Sequence, residues 1–379
     1  MELIFRLSLL VIIYAYCGYP LLTWVVSLVV SHPVKKKEGY TPEVTFLITA
    51  YNEEKNIRKK LRDTLALSYP RKKLEIMVAS DGSEDSTDAI VKEFEPQGVR
   101  LFRVEGRVGK TETQNRAVQA AGGEIIIFSD TTTTYRKDAI GRIVRNYADP
   151  AVGAVSGRYR YLNQKENSMG TGSVTFWDYE NFIKTRQTRI QTITGCCGCI
   201  YSVRKSLYVS LPPDIISDLV EPLKILEQGY RIVFEPEALA YETSTEASPE
   251  EFRMRVRVIS RGMHGLLYVK RLFNPLRYPF VSFQLFSHKV LRWLVPWFAA
   301  ALLLSSLLLQ GKQPLYYYFA AGQTLFYLAA LWGWLSERMG RKIKLFSLPL
   351  YFCVLNAASA AALMRTLQGK KAVTWKTVR

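Results

Sequence analysis

The chain has 379 residues, 48% of them hydrophobic, and sets 51 Lys and Arg against 33 Asp and Glu for a formal charge of +18. That length gives one large domain plus additional elements. So basic a balance selects phosphorylated ligands, anionic lipid or nucleic acid. No nucleic-acid-binding module is legible, which excludes that last class of partner.

Residues 7–30 form an apolar run without a charge. At about 1.5 Å per residue the run crosses a hydrocarbon core of about 30 Å. A cleaved leader would have an apolar stretch of only about 7–15 residues and a small-residue cleavage site. Here Ser31-His32-Pro33 and then Lys35-Lys36-Lys37 follow. The segment therefore reads as an uncleaved anchor, with the basic end and the next domain in the cytosol.

From residue 44 short apolar runs alternate with helical stretches. Residues 44–49 (VTFLIT), 74–79 (LEIMVA), 99–104 and 124–128 (EIIIF) read as strands buried on both faces. Helices are expected from Asn52-Glu53-Glu54 onward, over 86–94 and over 110–120. The alternation predicts an α/β domain with a mostly parallel sheet. Ligands of such sheets bind outside the carboxyl ends of the strands. The clusters Tyr51-Asn52-Glu53, Asp81-Gly82-Ser83 and Asp130-Thr131-Thr132 all follow strand ends, which points to one shared site.

After Pro150 a strand is expected over 151–157, a helix rich in aromatics over 168–189, a helix over 215–228 closed by Gly229, and a strand over 230–234. Residues 252–277 place seven basic side chains among apolar ones, a pattern suited to the headgroup plane or to a solvated basic helix. Three further apolar runs, 293–309, 314–335 and 345–364, are long enough or nearly so to span. Arg338, Arg341, Lys342 and Lys344 put the last connection in the cytosol, whereas four crossings would leave the basic tail with Lys370, Lys371, Lys376 and Arg379 outside. One run is therefore re-entrant or interfacial, or the tail breaks the rule. The implied division is 1–33 anchor, 40–265 catalytic domain, 266–292 interfacial segment and 293–379 membrane helices with tail. Cys196, Cys197 and Cys199 lack a completing Cys/His pair for a metal site and read as reduced residues of a packed turn.

The ordered motifs carry a resemblance. Ala50-Tyr51-Asn52-Glu53-Glu54 is followed by Asp81-Gly82-Ser83 with Asp85 and Thr87, by Gly109-Lys110 and Asn115-Arg116-Ala117, by Asp130 after a strand, by residues 198–205 (GCIYSVRK), and by Ser217-Asp218. Over residues 44–265 this order resembles the family 2 inverting glycosyltransferases, in particular the membrane-anchored branch that builds exopolysaccharide and cell-envelope glycans. The resemblance implies the GT-A fold, a nucleotide-sugar donor, commonly a UDP-sugar, and Mg2+ or Mn2+. It implies that Tyr51, Glu53 and Asp81 bind the nucleoside, that Asp130 serves the donor and the metal, and that Asp218 is the catalytic base. The family's Asp-x-Asp is reduced here to Asp130-Thr131-Thr132, and a hydroxyl is a poorer metal ligand than a carboxylate. The Gln-x-x-Arg-Trp of processive members survives only as Arg261 in residues 258–262, where it suits a leaving pyrophosphate together with Lys110. Each motif has a plainer structural counterpart: Glu53 and Asp218 as first-turn carboxylates, Asp81 as a turn former, His264 as a polar surface histidine.

Three functions follow as expectations. One is transfer of a hexose or N-acetylhexosamine to a lipid-linked or membrane-held glycan. Another is processive polymer synthesis with export, disfavoured by few spans and the absent Trp. The last is a silent scaffold among other polysaccharide-assembly proteins. The resemblance also implies an integral protein of the bacterial inner membrane.

Overall fold

A computed structural model describes residues 1–161, 168–242, 248–341 and 343–369; Lys342 and the tail cations Lys370, Lys371, Lys376 and Arg379 lie outside them. The chain opens as one apolar rod, α1 (Glu2–Ile13) and α2 (Tyr19–Val29), joined by a π-helical turn at Tyr14–Gly18. Many of its apolar side chains face outward, among them Leu3, Leu10, Leu21 and Leu28. The linker behind it is tied to the next domain through buried charge. Glu235 is fully buried and meets Lys36 Nζ at 2.8 Å and Arg145 Nη2 at 3.1 Å, while Asn146 Nδ2 donates to it at 3.0 Å. Burial alone would raise the Glu235 carboxyl; Lys36, Asn146 and Arg145 instead hold it below the usual range.

An eight-stranded mixed sheet follows, in the order β3 (Val99–Val104), β2 (Leu74–Asp81), β1 (Val44–Ala50), β4 (Ile125–Asp130), β7 (Tyr201–Arg204), β6 (Val152–Tyr161), β8 (Arg231–Glu242), β5 (Thr134–Tyr135). The first four strands are mutually parallel; β7 is antiparallel to both neighbours, and β6 and β8 are parallel. Alternation along the strands separates two cores. Phe46, Ile48, Ile76 and Ile127 face α3 (Ile57–Leu65), α4 (Thr87–Lys92) and α6 (Ala139–Val144). Leu47, Met77, Ile126 and Phe128 face α5 (Lys110–Ala120) and α8 (Ser217–Glu227). Each such side chain contributes about 1.5–3 kcal/mol by leaving water, and a strand covered on both faces must read as a continuous apolar run. Helix α7 (Ser168–Ile190) packs against α2 and β8, and α9 (Ser248–Tyr268) against α8.

The basic stretch 252–277 is absorbed into the fold. Leu266, Val269 and Leu272 are buried in the second core, and α10 (Pro279–Gln284) adds Val281 to it. A second π-helical turn, Leu285–Val290, leads into α11 (Leu291–Leu309), which runs back along α1. Then come α12 (Pro314–Arg338) and α13 (Ser347–Leu367). Among the described residues three helices are long and apolar enough to cross a membrane: Glu2–Val29, Pro279–Leu309 and Lys344–Leu367. The run at 314–335 forms a helix but is not among them; tyrosines 316–318, Gln323, Tyr327 and two tryptophans dilute it, a composition that suits the membrane interface. Of the four apolar runs, this helix is the one whose composition falls short of a span. Helix α13 lies along α9, with Ala358 and Ala362 against Val256, Ile259 and Met263.

These helices hold by apolar burial, which salt does not screen, unlike a basic patch on anionic lipid. Membranes washed in high salt should retain the full chain, with detergent needed to release it. Release by salt alone would contradict spanning.

Candidate active site

Parallel pairing brings three strand ends to one level: Thr49 lies in register with Ala79 on β2 and Asp130 on β4. The loops beyond are laced together. Asn52 N donates to Ser83 Oγ, Glu53 N to Thr87 Oγ1 at 2.8 Å, and Glu84 N returns to Asn52 Oδ1 at 2.9 Å. Asn52 takes a positive φ of 51° to make this turn. Glu53 is nearly buried and accepts from Asn56 Nδ2 at 2.7 Å. The Tyr51 ring lies under the Arg107 guanidinium, 4.1 Å from centroid to carbon. Asp81 is fully buried, and its carboxylate accepts from the amides of Val108 and Gly109 and from Thr113 Oγ1 at 2.9–3.1 Å. Its visible work is to shape the loop that presents Arg107 and Lys110. At Gly82 (φ +66°) a methyl would stand 2.6 Å from the carbonyl oxygen of Gly106, so the two loops close only over glycine.

Lys110, at the start of α5, pairs with Asp130 Oδ1 at 2.5 Å. Burial pushes the ammonium down, but Asp130 more than reverses this and Lys110 stays charged. Beneath the loop, buried Lys60 donates to Ser129 Oγ and to the carbonyl of Thr133, at 2.7 and 2.5 Å. Burial lowers its pKa to about 7 although Asp130 and Glu242 both pull it up. Glu242 fills the gap left by the shortened motif: Thr132 Oγ1 donates to Glu242 Oε1 at 2.6 Å, and Tyr159 OH to Oε2 at 3.1 Å. Asp130, Thr132 and Glu242 are hard oxygen donors, which fits Mg2+ or Mn2+ held by one or two carboxylates plus substrate phosphate. Among the described residues no group of three or more His, Cys, Asp and Glu is arranged to hold a metal alone. All five cysteines are free, with Cys197 and Cys199 Sγ 3.4 Å apart.

Asp218 lies in the first turn of α8, where the helix dipole favours a carboxylate. Its side chain rests on Gly198: a methyl there would be 2.7 Å from Oδ2. Burial raises its pKa, and Lys110 opposes the rise, followed by Arg261. Arg261 Nη2 donates to the carbonyls of Ile215 and Pro213 at 2.6 and 3.3 Å and to Thr111 Oγ1 at 3.2 Å, bracing the loop before Asp218. Burial lowers the Arg257 pKa, which Asp130 partly restores. His264 bonds the Ser260 carbonyl of its own helix at 2.9 Å.

Asp218, Asp130, Lys110 and Arg261 therefore converge, while Tyr51, Glu53 and Asp81 line the adjoining strand ends. Sequence reasoning missed Glu242, Lys60 and Trp293. Nothing in a linear pattern joins Glu242 to Thr132, since strand pairing does so across the sheet. Trp293 of α11 sits on Gly262, at 3.3 Å from where a methyl would stand, and beside Leu219. The signal was present in the glycine where the processive motif has Trp.

A family model described as glycosyl transferase family 2 matches residues 45–211. The poly-beta-1,6-N-acetyl-D-glucosamine synthase of Staphylococcus aureus is 28% identical over 230 residues, 59% of this chain and 55% of its own. That of Staphylococcus epidermidis is 27% identical over 240 residues, 62% of this chain and 58% of its own. The chain thus spans a little over half the length of these curated relatives. A mannosyltransferase from Pyrobaculum calidifontis, solved with GDP-Man and Mn2+, shares the fold over 97% of this chain and 99% of that one, with a TM-score of 0.75 and 23% identity. Residues 45–211 thus match a family 2 glycosyltransferase domain, and the chain has the GT-A fold flanked by candidate membrane helices.

Proposed function

We propose that the protein is an inverting hexosyl- or N-acetylhexosaminyltransferase, drawing on a UDP-sugar and delivering to a lipid-linked or membrane-held glycan in polysaccharide or cell-envelope biosynthesis. The observation that supports it best is the half-buried Asp218 carboxylate, set on Gly198 and within electrostatic reach of Lys110, Asp130 and Arg261. An inverting displacement needs one base on the acceptor face and positive charge on the leaving-group face. Asp218 takes the proton of the acceptor hydroxyl as its oxygen attacks the anomeric carbon. Lys110, with Arg257 and Arg261, meets the charge that grows on the departing diphosphate. Tyr51 and Glu53 hold the nucleoside, and Asp81 sets the loop carrying Lys110. Asp130 and Glu242 would hold the cation, which when bound neutralises charge on the diphosphate. The names of the staphylococcal relatives favour N-acetylglucosamine as the first sugar to try.

Asp218→Asn should cut transfer by about 10²–10⁴-fold while nucleotide affinity stays within a few-fold; retention of more than about a tenth of the rate would remove Asp218 as the base. Because the base must be ionised and burial raises Asp218, the acidic limb of the rate profile should lie above the ordinary aspartate value of about 3.9. A limb at or below that value speaks against the assignment. Excess chelator should abolish transfer, and Mg2+ or Mn2+ should restore it. Glu242→Gln should weaken Mn2+ binding in the presence of UDP by about tenfold or more, read by paramagnetic resonance, whereas Thr132→Asp should tighten it. Full activity in chelator would leave Lys110, Arg257 and Arg261 as the electrophiles.

A further inference from the structure

Helix α3 buries Ile57, Lys60, Leu61 and Thr64, and Lys60 is the charged member of that stripe. A core-facing helix position ordinarily takes an apolar residue, and lysine is almost never fully buried unless paired. Lys60 is 3% exposed, yet both of its hydrogen bonds go to neutral oxygens. The carboxylates within electrostatic reach, Asp63, Asp130 and Glu242, accept from Lys59, Lys110 and Thr132 instead. Lys60 Nζ reaches the two ends of one short segment: Ser129 Oγ at 2.7 Å, just before Asp130, and the Thr133 carbonyl at 2.5 Å, just before β5. The rings of Tyr135 and Phe46, centred 4.8 and 5.3 Å away, close other sides.

Residues 130–133 are weakly bonded among themselves. Thr133 N meets the Asp130 carbonyl at 3.4 Å, and Ser129 Oγ meets it at 3.3 Å. The segment joins β4, which ends in Asp130, to β5, where Thr134 lies opposite Tyr241, the residue before Glu242. Fixing both ends of the segment therefore fixes Asp130 and Thr132 against Glu242. The tether does not depend on charge, because an amine and an ammonium both carry the two hydrogens used here. An apolar side chain of similar length would fill the same space and leave the Thr133 carbonyl without this donor. Packing alone does not account for a lysine at this place.

We propose that Lys60 is a positioning residue of the donor site, holding residues 130–133 so that Asp130 and Glu242 present their oxygens to one divalent cation on the diphosphate. The inference rests on the cation reading given above. Lys60 touches neither the cation nor the sugar nucleotide; it acts through Ser129 and the Thr133 carbonyl. Without the tether Asp130 keeps its carboxylate but loses its fixed spacing to Glu242. The loss falls on metal affinity and spares the nucleoside contacts at Tyr51 and Glu53.

The test uses the full chain in neutral detergent, with Mn2+ and UDP as probes, paramagnetic resonance for the ion and calorimetry for the nucleotide. Lys60→Met keeps most of the side-chain volume and removes both bonds. Mn2+ affinity in the presence of UDP should fall at least about tenfold, as for groups that orient metal ligands, while UDP affinity in excess chelator stays within about twofold. Ser129→Ala removes one acceptor, leaves Lys60 in place and should weaken Mn2+ about threefold, the scale of one hydrogen bond. The double variant should lose no more than Lys60→Met alone, as expected of residues acting as one unit. Mn2+ affinity within about threefold of the parent in Lys60→Met overturns the proposal. So does an equal loss of UDP affinity in chelator, which marks a general loosening of the site. If Lys60→Met does not fold, Ser129→Ala decides: unchanged Mn2+ affinity overturns the tether, and a loss of the expected size supports it. The parent protein tests the underlying reading. Mn2+ binding no tighter with UDP than without it sinks the cation reading and this role together, whereas tight Mn2+ binding that ignores both substitutions sinks Lys60 alone.

Discussion

Parallel pairing of β1 with both β2 and β4 is the constraint on which the site rests. In-register parallel strands deliver their carboxyl ends to one level, so Ala50, Asp81 and Asp130 leave the sheet together. The loops they enter have no regular ladder of their own and must satisfy their backbone groups on each other. That is why Asn52, Ser83, Thr87 and Asp85 bond across the gap, and why Asp81 spends its carboxylate on amides 27 and 28 residues away. Polar residues that resemble ligand contacts in sequence are here first of all the fastenings of the pocket wall.

Buried charge is treated in two ways. Around Glu235 each charge finds partners: Lys36, Arg145 and Asn146 converge on it, and Arg145 reaches Glu38 and Glu237 as well. This closed cluster fastens the linker behind the first helix to the domain. Near Asp218 the balance is more open, with Lys110, Arg257 and Arg261 facing the carboxylates of Asp218 and Asp130. A protein accepts such local imbalance where ligands bring the complementary charge.

Much of the fold was legible because buried parallel strands and strand-end clusters follow short-range rules. The strands expected at 44–49, 74–79 and 99–104 match the observed ones to within two residues, and the polar first turn at Ser217-Asp218 places the start of α8. What was not legible depended on contacts between distant segments. The antiparallel insertion of β7 between β4 and β6 leaves no local trace. The basic stretch 252–277 has the composition of a headgroup-plane helix, yet Leu266, Val269 and Leu272 turn into the domain core, because α8 and the sheet offer a better apolar partner. Thr132 looked like the loss of a carboxylate until β8 brought Glu242 to it.

The helix carrying Trp293 follows directly on the π-helical turn at Leu285–Val290 and continues, through Pro296, to Leu309. From Trp293 to Leu309 it rises about 24 Å at ~1.5 Å per residue. Its antiparallel contact with α1, fixed by Phe5 against Leu302 and Leu309 and by Ala15 against Leu291 and Val295, leaves little freedom to tilt. The wall beside Asp218 and this candidate membrane span thus belong to one continuous helical segment. Through Gly262 and Leu219, Trp293 ties the first turn of α8, where Asp218 lies, to a helix whose far end is at Leu309.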